Sequence, residues 1–150
     1  MTDQWPIMVV SSNLESRRSI LRILASQGFD PVSTSNVKEC REVLEKQYVS
    51  LIFCDRELSD GDYRDIQAGV LSAPQKQKAR VVVISPLMKP EEYQEARNSG
   101  VFDIIGVPCR PTNIEWTIIL AKRDERKRMK QPLRITALNS SRGKPAASAS

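Results

Sequence analysis

Apolar residues along this chain follow two alternating rhythms. Pro6-Ile7-Met8-Val9-Val10 is a short unbroken run; after Ser11-Ser12-Asn13 the spacing changes to Leu14, Ile20, Leu21, Ile23 and Leu24. Unbroken runs suit strands covered on both faces, and spaced ones suit amphipathic helices, so this stretch predicts strand, loop, helix. Gly28 closes the helix, and Phe29 to Ser33 predicts a weaker second strand. Ser35-Asn36 followed by Glu39 supplies an N-terminal cap for a helix that buries Val37, Cys40, Val43 and Leu44 and ends near Gln47.

Val49 to Cys54 predicts a third strand, apolar throughout, running into Asp55. The turn-rich segment Leu58-Ser59-Asp60-Gly61-Asp62 then leads to a helix carrying Tyr63, Ile66, Val70 and Leu71. Val81 to Ile84 is the fourth strand, ending at Ser85-Pro86; Pro90 opens a polar helix that stops at Gly100. Val101 to Ile105 is the fifth strand. Pro108 and Pro111 bracket a turn before a last helix marked by Ile114, Ile118 and Leu120, with Trp116 nearby. Strands alternating with helices predict an α/β fold: a doubly wound, five-stranded parallel sheet in the order 2-1-3-4-5, flavodoxin-like. In such a fold the functional crevice lies beyond the C-terminal ends of the strands, which singles out Ser11, Ser12, Asn13, Asp55, Ser85 and Val107.

Composition narrows the chemistry. Aromatics are 5% of residues, so an aliphatic core is expected. The chain has no histidine, and Cys40, Cys54 and Cys109 lack metal-ligand spacing, which removes zinc and histidine general bases from consideration. Cys54 is expected to be a buried hydrophobe, and Cys109 to sit on a loop. No apolar run approaches the roughly 18 residues of a membrane span, and the start lacks a signal-peptide pattern, so a cytoplasmic protein without membrane contact is expected. The net charge of +5 is unevenly spread: residues 122 to 150 hold nine basic and two acidic residues, leaving residues 1 to 121 at −2. Residues 129–150 are expected to be a basic, unstructured tail beyond a domain of residues 1–128. The basic run from Lys122 to Lys130 favours a helix C-terminus. Without room for a reading helix or interleaved aromatics, sequence-specific nucleic-acid binding is not expected.

The strand-end residues resemble those of response-regulator receiver domains of two-component signalling systems, over about residues 6 to 128. Asp55, within Phe53-Cys54-Asp55-Arg56-Glu57-Leu58-Ser59-Asp60-Gly61, matches the segment of the phosphoacceptor aspartate. Ser85, within Val83-Ile84-Ser85-Pro86, matches the hydroxyl residue that follows the phosphoryl group during switching. Gly100 to Pro108 matches the run that ends in Lys-Pro. The resemblance implies a signalling module with a phosphorelay ancestry and no enzymatic activity. It also implies a partner that is a histidine kinase or effector domain, and a homodimer surface on the fourth helix, fifth strand and last helix, here with Glu92, Glu95, Arg97, Asp103, Trp116 and Arg123.

The departures lie where the charge should be. Ser11 and Ser12 occupy the place of the acidic pair that holds magnesium, Val107 that of the lysine, Ile104 that of the switching aromatic, and Ser59 that of a loop proline. A carboxylate attacking an anionic donor needs positive charge around the transferring oxygens. Magnesium in turn needs hard anionic ligands. Ser11, Ser12, Asp55 and Glu57 therefore predict a degenerate metal site, weak or empty, in a pseudo-receiver that acts through protein–protein interaction. Two alternatives stay open: a working phosphoacceptor using Asp55 with a weakly held divalent cation, and a flavodoxin-like protein that cradles a nucleotide or flavin at Ser11-Ser12-Asn13 with Arg17 or Arg18.

Overall fold

The computed structural model describes residues 4–73, 78–86 and 88–139, with side chains through 128. The chain divides into two units, residues 1–117 and residues 118–150. In the first unit, β1 (Ile7–Val10), β2 (Val32–Thr34), β3 (Leu51–Asp55), β6 (Arg80–Ser85) and β7 (Asp103–Gly106) form one parallel sheet in the order β2-β1-β3-β6-β7, the predicted doubly wound arrangement. The register sets Val10 beside Cys54 and Asp55 beside Ile84, so β1, β3 and β6 end at one level.

The unbroken apolar runs form the interior strands. In β1, β3 and β6 the side chains alternate between two covered faces, and Met8, Val9, Ile52, Phe53, Val82 and Val83 have no exposed surface. Burying each such side chain contributes roughly 1.5–3 kcal/mol relative to exposure. Around the sheet run α1 (Leu14–Ser26), α2 (Val37–Lys46), α3 (Tyr63–Ser72) and α4 (Pro90–Asn98), in that chain order. The cluster on one face joins Met8, Ile52 and Val83 to Cys40 and Leu44 of α2, Ile66 and Val70 of α3 and Ala96 of α4. Ile20 and Leu24 of α1 are buried as well.

Local chemistry sets the helix ends. Asn13 caps α1 by accepting from the Ser16 amide at 2.9 Å, and Asn36 caps α2 by accepting from the Glu39 amide at 2.8 Å. Gly28 and Gly100 follow α1 and α4 with φ near +90°, the left-handed conformation that side chains resist.

The segment read as a turn holds a miniature antiparallel hairpin, β4 (Glu57–Leu58) and β5 (Gly61–Asp62). A side chain at position 61 would displace the Asp65 carboxylate, because a Cβ on Gly61 would fall 2.3 Å from that group, which completes the α3 capping box with Asp62. At the hairpin tip Asp60 accepts from the Val37 and Lys38 amides, at 2.8 and 3.1 Å. That fork on the first turn of α2 holds the Asp60 carboxyl below its ordinary pKa.

Two strands sit later than predicted. The second is Val32–Thr34 and the fifth Asp103–Gly106, because the residues after each left-handed glycine serve to re-enter the sheet. The last helix, α5 (Pro111–Asn139), spans the division between the units. Its backbone is helical over 129–139, where an unstructured tail was expected. In the second unit Arg128 pairs with Asp124 one turn earlier at 3.3 Å. The end of the expected tail, residues 140–150, lies outside the described residues. No described helix is long and apolar enough to cross a membrane.

Candidate functional site

Four strand ends and the loops after them surround Asp55. The crevice is an open cavity of about 560 Å³ lined by Asn13, Ser16, Ser19 and Ile20 on one side, and by Ile84, Ser85, Val107, Pro108 and Cys109 on the other; Glu15, Arg56 and Glu57 also line it. Of the residues singled out in the sequence, Asn13, Asp55, Glu57, Ser85 and Val107 line this space directly.

Ser11 and Ser12, at the end of β1, are both engaged. The Ser11 hydroxyl is buried and lies 2.6 Å from Asp55 Oδ2, with the Asn13 carbonyl 3.0 Å away as a second acceptor. The Ser12 hydroxyl points outward. It donates to the Ser35 carbonyl at 2.6 Å and accepts from the Ser59 amide at 2.9 Å, tying the loops after β1 and β2 to the turn of the β4–β5 hairpin. Ser59, standing where a proline was expected, supplies the N–H that a proline lacks. Arg17 donates to the Ser11 carbonyl at 2.7 Å, which directs its charge at the backbone.

Asp55 is half-buried, and burial raises its pKa above its ordinary value. Hydrogen bonding from the Ser11 and Ser16 side chains and from the Asn13 and Ser12 amides opposes that rise without cancelling it. Among the described residues no cation lies within ion-pair distance of Asp55. Arg56, its chain neighbour, is paired with Glu92 in the first turn of α4.

The far rim has a different character. Ser85 is 1% exposed, and its hydroxyl is enclosed with no hydrogen-bond partner among the described residues. Val107 is 44% exposed and presents only methyl groups; the Val107-Pro108 peptide is cis. Ile104 is partly buried against the core, where an aliphatic side chain has no hydroxyl to offer. Burial, and secondarily the Asp55 charge, raises the Cys109 pKa. Burial also pushes Cys40 up to about 12 and Cys54 well above its ordinary value, so both are neutral core thiols.

The magnesium ion implied by the resemblance can be tested against these donors. No group of three or more Cys, Asp or Glu suited to a metal occurs among the described residues. The two hydroxyls at the acidic-pair positions are committed to protein acceptors. Glu57 is exposed on β4. Glu15 and Glu57 also line the cavity, but no three acidic groups converge with Asp55 among the described residues, and such a donor set does not fit a hard dication.

Several residues that shape the site were not singled out in the sequence. Ser16, Ser19 and Ile20 reach the cavity from the first turns of α1, at the three- and four-residue spacing that puts them on one helix side. The Arg56–Glu92 pair had no local signal, since its members are distant in sequence. It also changes the expected partner surface: Glu92 is held by Arg56, Glu95 lies 3.4 Å from Arg64, and Asp103 accepts from the Ile104 amide. Trp116, by contrast, is 61% exposed.

No protein-family model and no curated protein matches this sequence. Solved structures do match its fold. A two-component response regulator from Clostridium difficile aligns with TM-score 0.71 and 18% identity over 80% of this chain and 97% of its own. A CheY-like receiver domain protein from Methanospirillum hungatei aligns with TM-score 0.71 and 16% identity over 83% and 99%. The receiver domain of a sensor histidine kinase from Pseudomonas aeruginosa, solved with magnesium coordinated in its active-site cleft, aligns with TM-score 0.69 and 14% identity over 81% and 97%. The chain therefore has the receiver-domain fold.

Proposed function

We propose that this chain, built on the receiver fold, is a non-enzymatic signalling module of the cytoplasm. It acts by binding other proteins, and conventional phosphorylation of Asp55 is lost or strongly impaired. The observation that carries this reading is the 2.6 Å contact between the Ser11 hydroxyl and Asp55 Oδ2, at a position where a carboxylate would share a metal. A neutral hydroxyl orients Asp55 but brings no charge to a phosphoryl group, and Val107 brings none from the other side. The partner class is a histidine kinase or an effector domain. Within the first unit α4, β7 and the start of α5 offer the docking surface, with exposed Trp116 as its largest apolar element.

Incubating the chain with a small phosphodonor and magnesium, then measuring intact mass, tests this reading. The expected spectrum shows the unmodified mass for wild type and Asp55→Asn alike. Stoichiometric addition of one phosphoryl group to wild type alone would defeat it.

That outcome would favour the second reading, a working phosphoacceptor. Its support is the open cavity at Asp55, lined also by Glu57 and by Ser85, whose hydroxyl has no partner among the described residues. Flavin or nucleotide binding draws less support, because the lining residues include no aromatic ring to stack on and no glycine at the Ser11-Ser12-Asn13 loop.

A further inference from the structure

The crevice has an imbalance that loss of phosphorylation does not by itself explain. Glu15, Asp55 and Glu57 line it, and the guanidinium of Arg56, also in the lining, is already matched by Glu92. Carboxylates set against low-dielectric walls draw cations from solution. The opposite wall is hydrocarbon: Ile84, Val107 and Pro108, with Ile20 facing from α1. A metal ion keeps its water and gains nothing from such a wall, whereas an organic cation can bury its carbon chain there. The Ser85 hydroxyl, on the same wall, is enclosed and unpartnered among the described residues, a state that buried polar groups rarely keep without a partner. Asp55 meanwhile receives only neutral hydrogen-bond donors, among them the Ser11 hydroxyl at 2.6 Å.

We propose that this cavity binds a primary alkylammonium group. Its nitrogen donates to the Asp55 carboxylate and, after rotation of the Ser85 side chain, to the Ser85 hydroxyl; its carbon chain lies along Val107 and Ile20. The volume of about 560 Å³ falls within the range of small-ligand sites and admits a chain of several carbons. Such an ammonium comes either from a free aliphatic amine or from the end of a lysine side chain on another protein. Amine capture rests on the reading that Asp55 is served by hydrogen bonds rather than by a metal.

The test is a 1H–15N NMR titration of the full chain in metal-free buffer at constant ionic strength. The probes are n-butylammonium, butan-1-ol and a pentapeptide with one central lysine and blocked ends. Butylammonium is expected to shift the Asp55, Ser85 and Val107 amides saturably, with butan-1-ol about tenfold weaker or inactive. Asp55→Asn should weaken butylammonium about tenfold, and Ser85→Ala about threefold. Val107→Lys should abolish binding, because its own ammonium takes the place; dispersion in the same spectra verifies that each variant is folded. A response to butylammonium alone identifies a free amine as the source, and an equal response to the peptide identifies a lysine side chain. Equal shifts with butan-1-ol, unchanged affinity in Asp55→Asn, or no saturable shift with either ammonium probe overturns the proposal. Phosphorylation is read separately by mass with magnesium present, so the two readings can fail independently.

Discussion

The two rims of the crevice solve the same task in opposite ways. On the β1 side, Ser11 and Ser12 are fully engaged: one hydroxyl orients Asp55 and the other joins three loops. On the β6 and β7 side, Ser85 holds a hydroxyl with no partner among the described residues and Val107 ends in methyl groups. The first rim is held by serine hydroxyls, one donating to a carboxylate and one to a backbone carbonyl, worth about 1–3 kcal/mol each. The second rim carries no charged side chain and no side-chain hydrogen bond at these two positions among the described residues. The sheet beneath both rims is held by aliphatic packing, which leaves these strand-end side chains free of any part in the apolar core.

The strongest way to break this contrast is to put charge back on the settled rim. Ser11→Asp sets a second carboxylate against Asp55, and we expect about 3 kcal/mol of destabilisation in urea melts without divalent cations. Added magnesium should recover part of that loss in the variant while leaving wild type unchanged. A variant as stable as wild type in chelator would mean the Ser11 contact is dispensable.

Cutting the link between loops is a smaller perturbation. Ser12→Ala removes the acceptor of the Ser59 amide and the donor to Ser35, and should cost about 1 kcal/mol in the same melts, because water reaches both groups. On the vacant rim, Val107→Lys offers Asp55 a partner and should change stability by about 1 kcal/mol or less. Its clearer sign is a fall in the Asp55 pKa, seen by carboxyl-carbon NMR.

The smallest effect is on pH dependence. Burial raises the Asp55 pKa in the folded state above its ordinary value, so the folded chain holds this proton more tightly than the unfolded chain. The resulting stabilisation is complete below the unfolded pKa and is lost as pH rises through the folded one. Urea melts of wild type and Asp55→Asn at about pH 4 and about pH 7 should therefore show wild type losing ground to the variant at the higher pH. Asp60, Asp62 and Glu92, whose pKa values are lowered, act in the opposite sense in both proteins and cancel from the difference.

How far the sequence could be read follows the same divide. Strands β1, β3 and β6 were legible because being covered on both faces demands unbroken aliphatic runs; crossover handedness limited the strand orders to a few, and two long hydrophobic runs suited to the centre selected one. Asp55, Ser85 and Val107 were placed at strand ends by those runs, and the structure brings them to one cavity. The β4–β5 hairpin was not legible: two residues per strand carry no periodicity, and Asp60 reads as a turn residue until α2 is known to lie against it. The direction of each serine was also hidden. Neighbouring Ser11 and Ser12 look alike in sequence, yet one faces inward to a carboxylate and the other outward to the loops. Arg56 and Glu92 meet only because the fold sets the end of β3 against the first turn of α4.

The Ser59 amide has a practical use that follows from its tether. Its proton is covered by a hydroxyl rather than by another strand, so its exchange into deuterated water clocks how often the outer loop lifts away from Ser12. A docked protein that braces this edge would slow that clock, and one that prises it open would quicken it, so a single peak could report which way a visitor pushes.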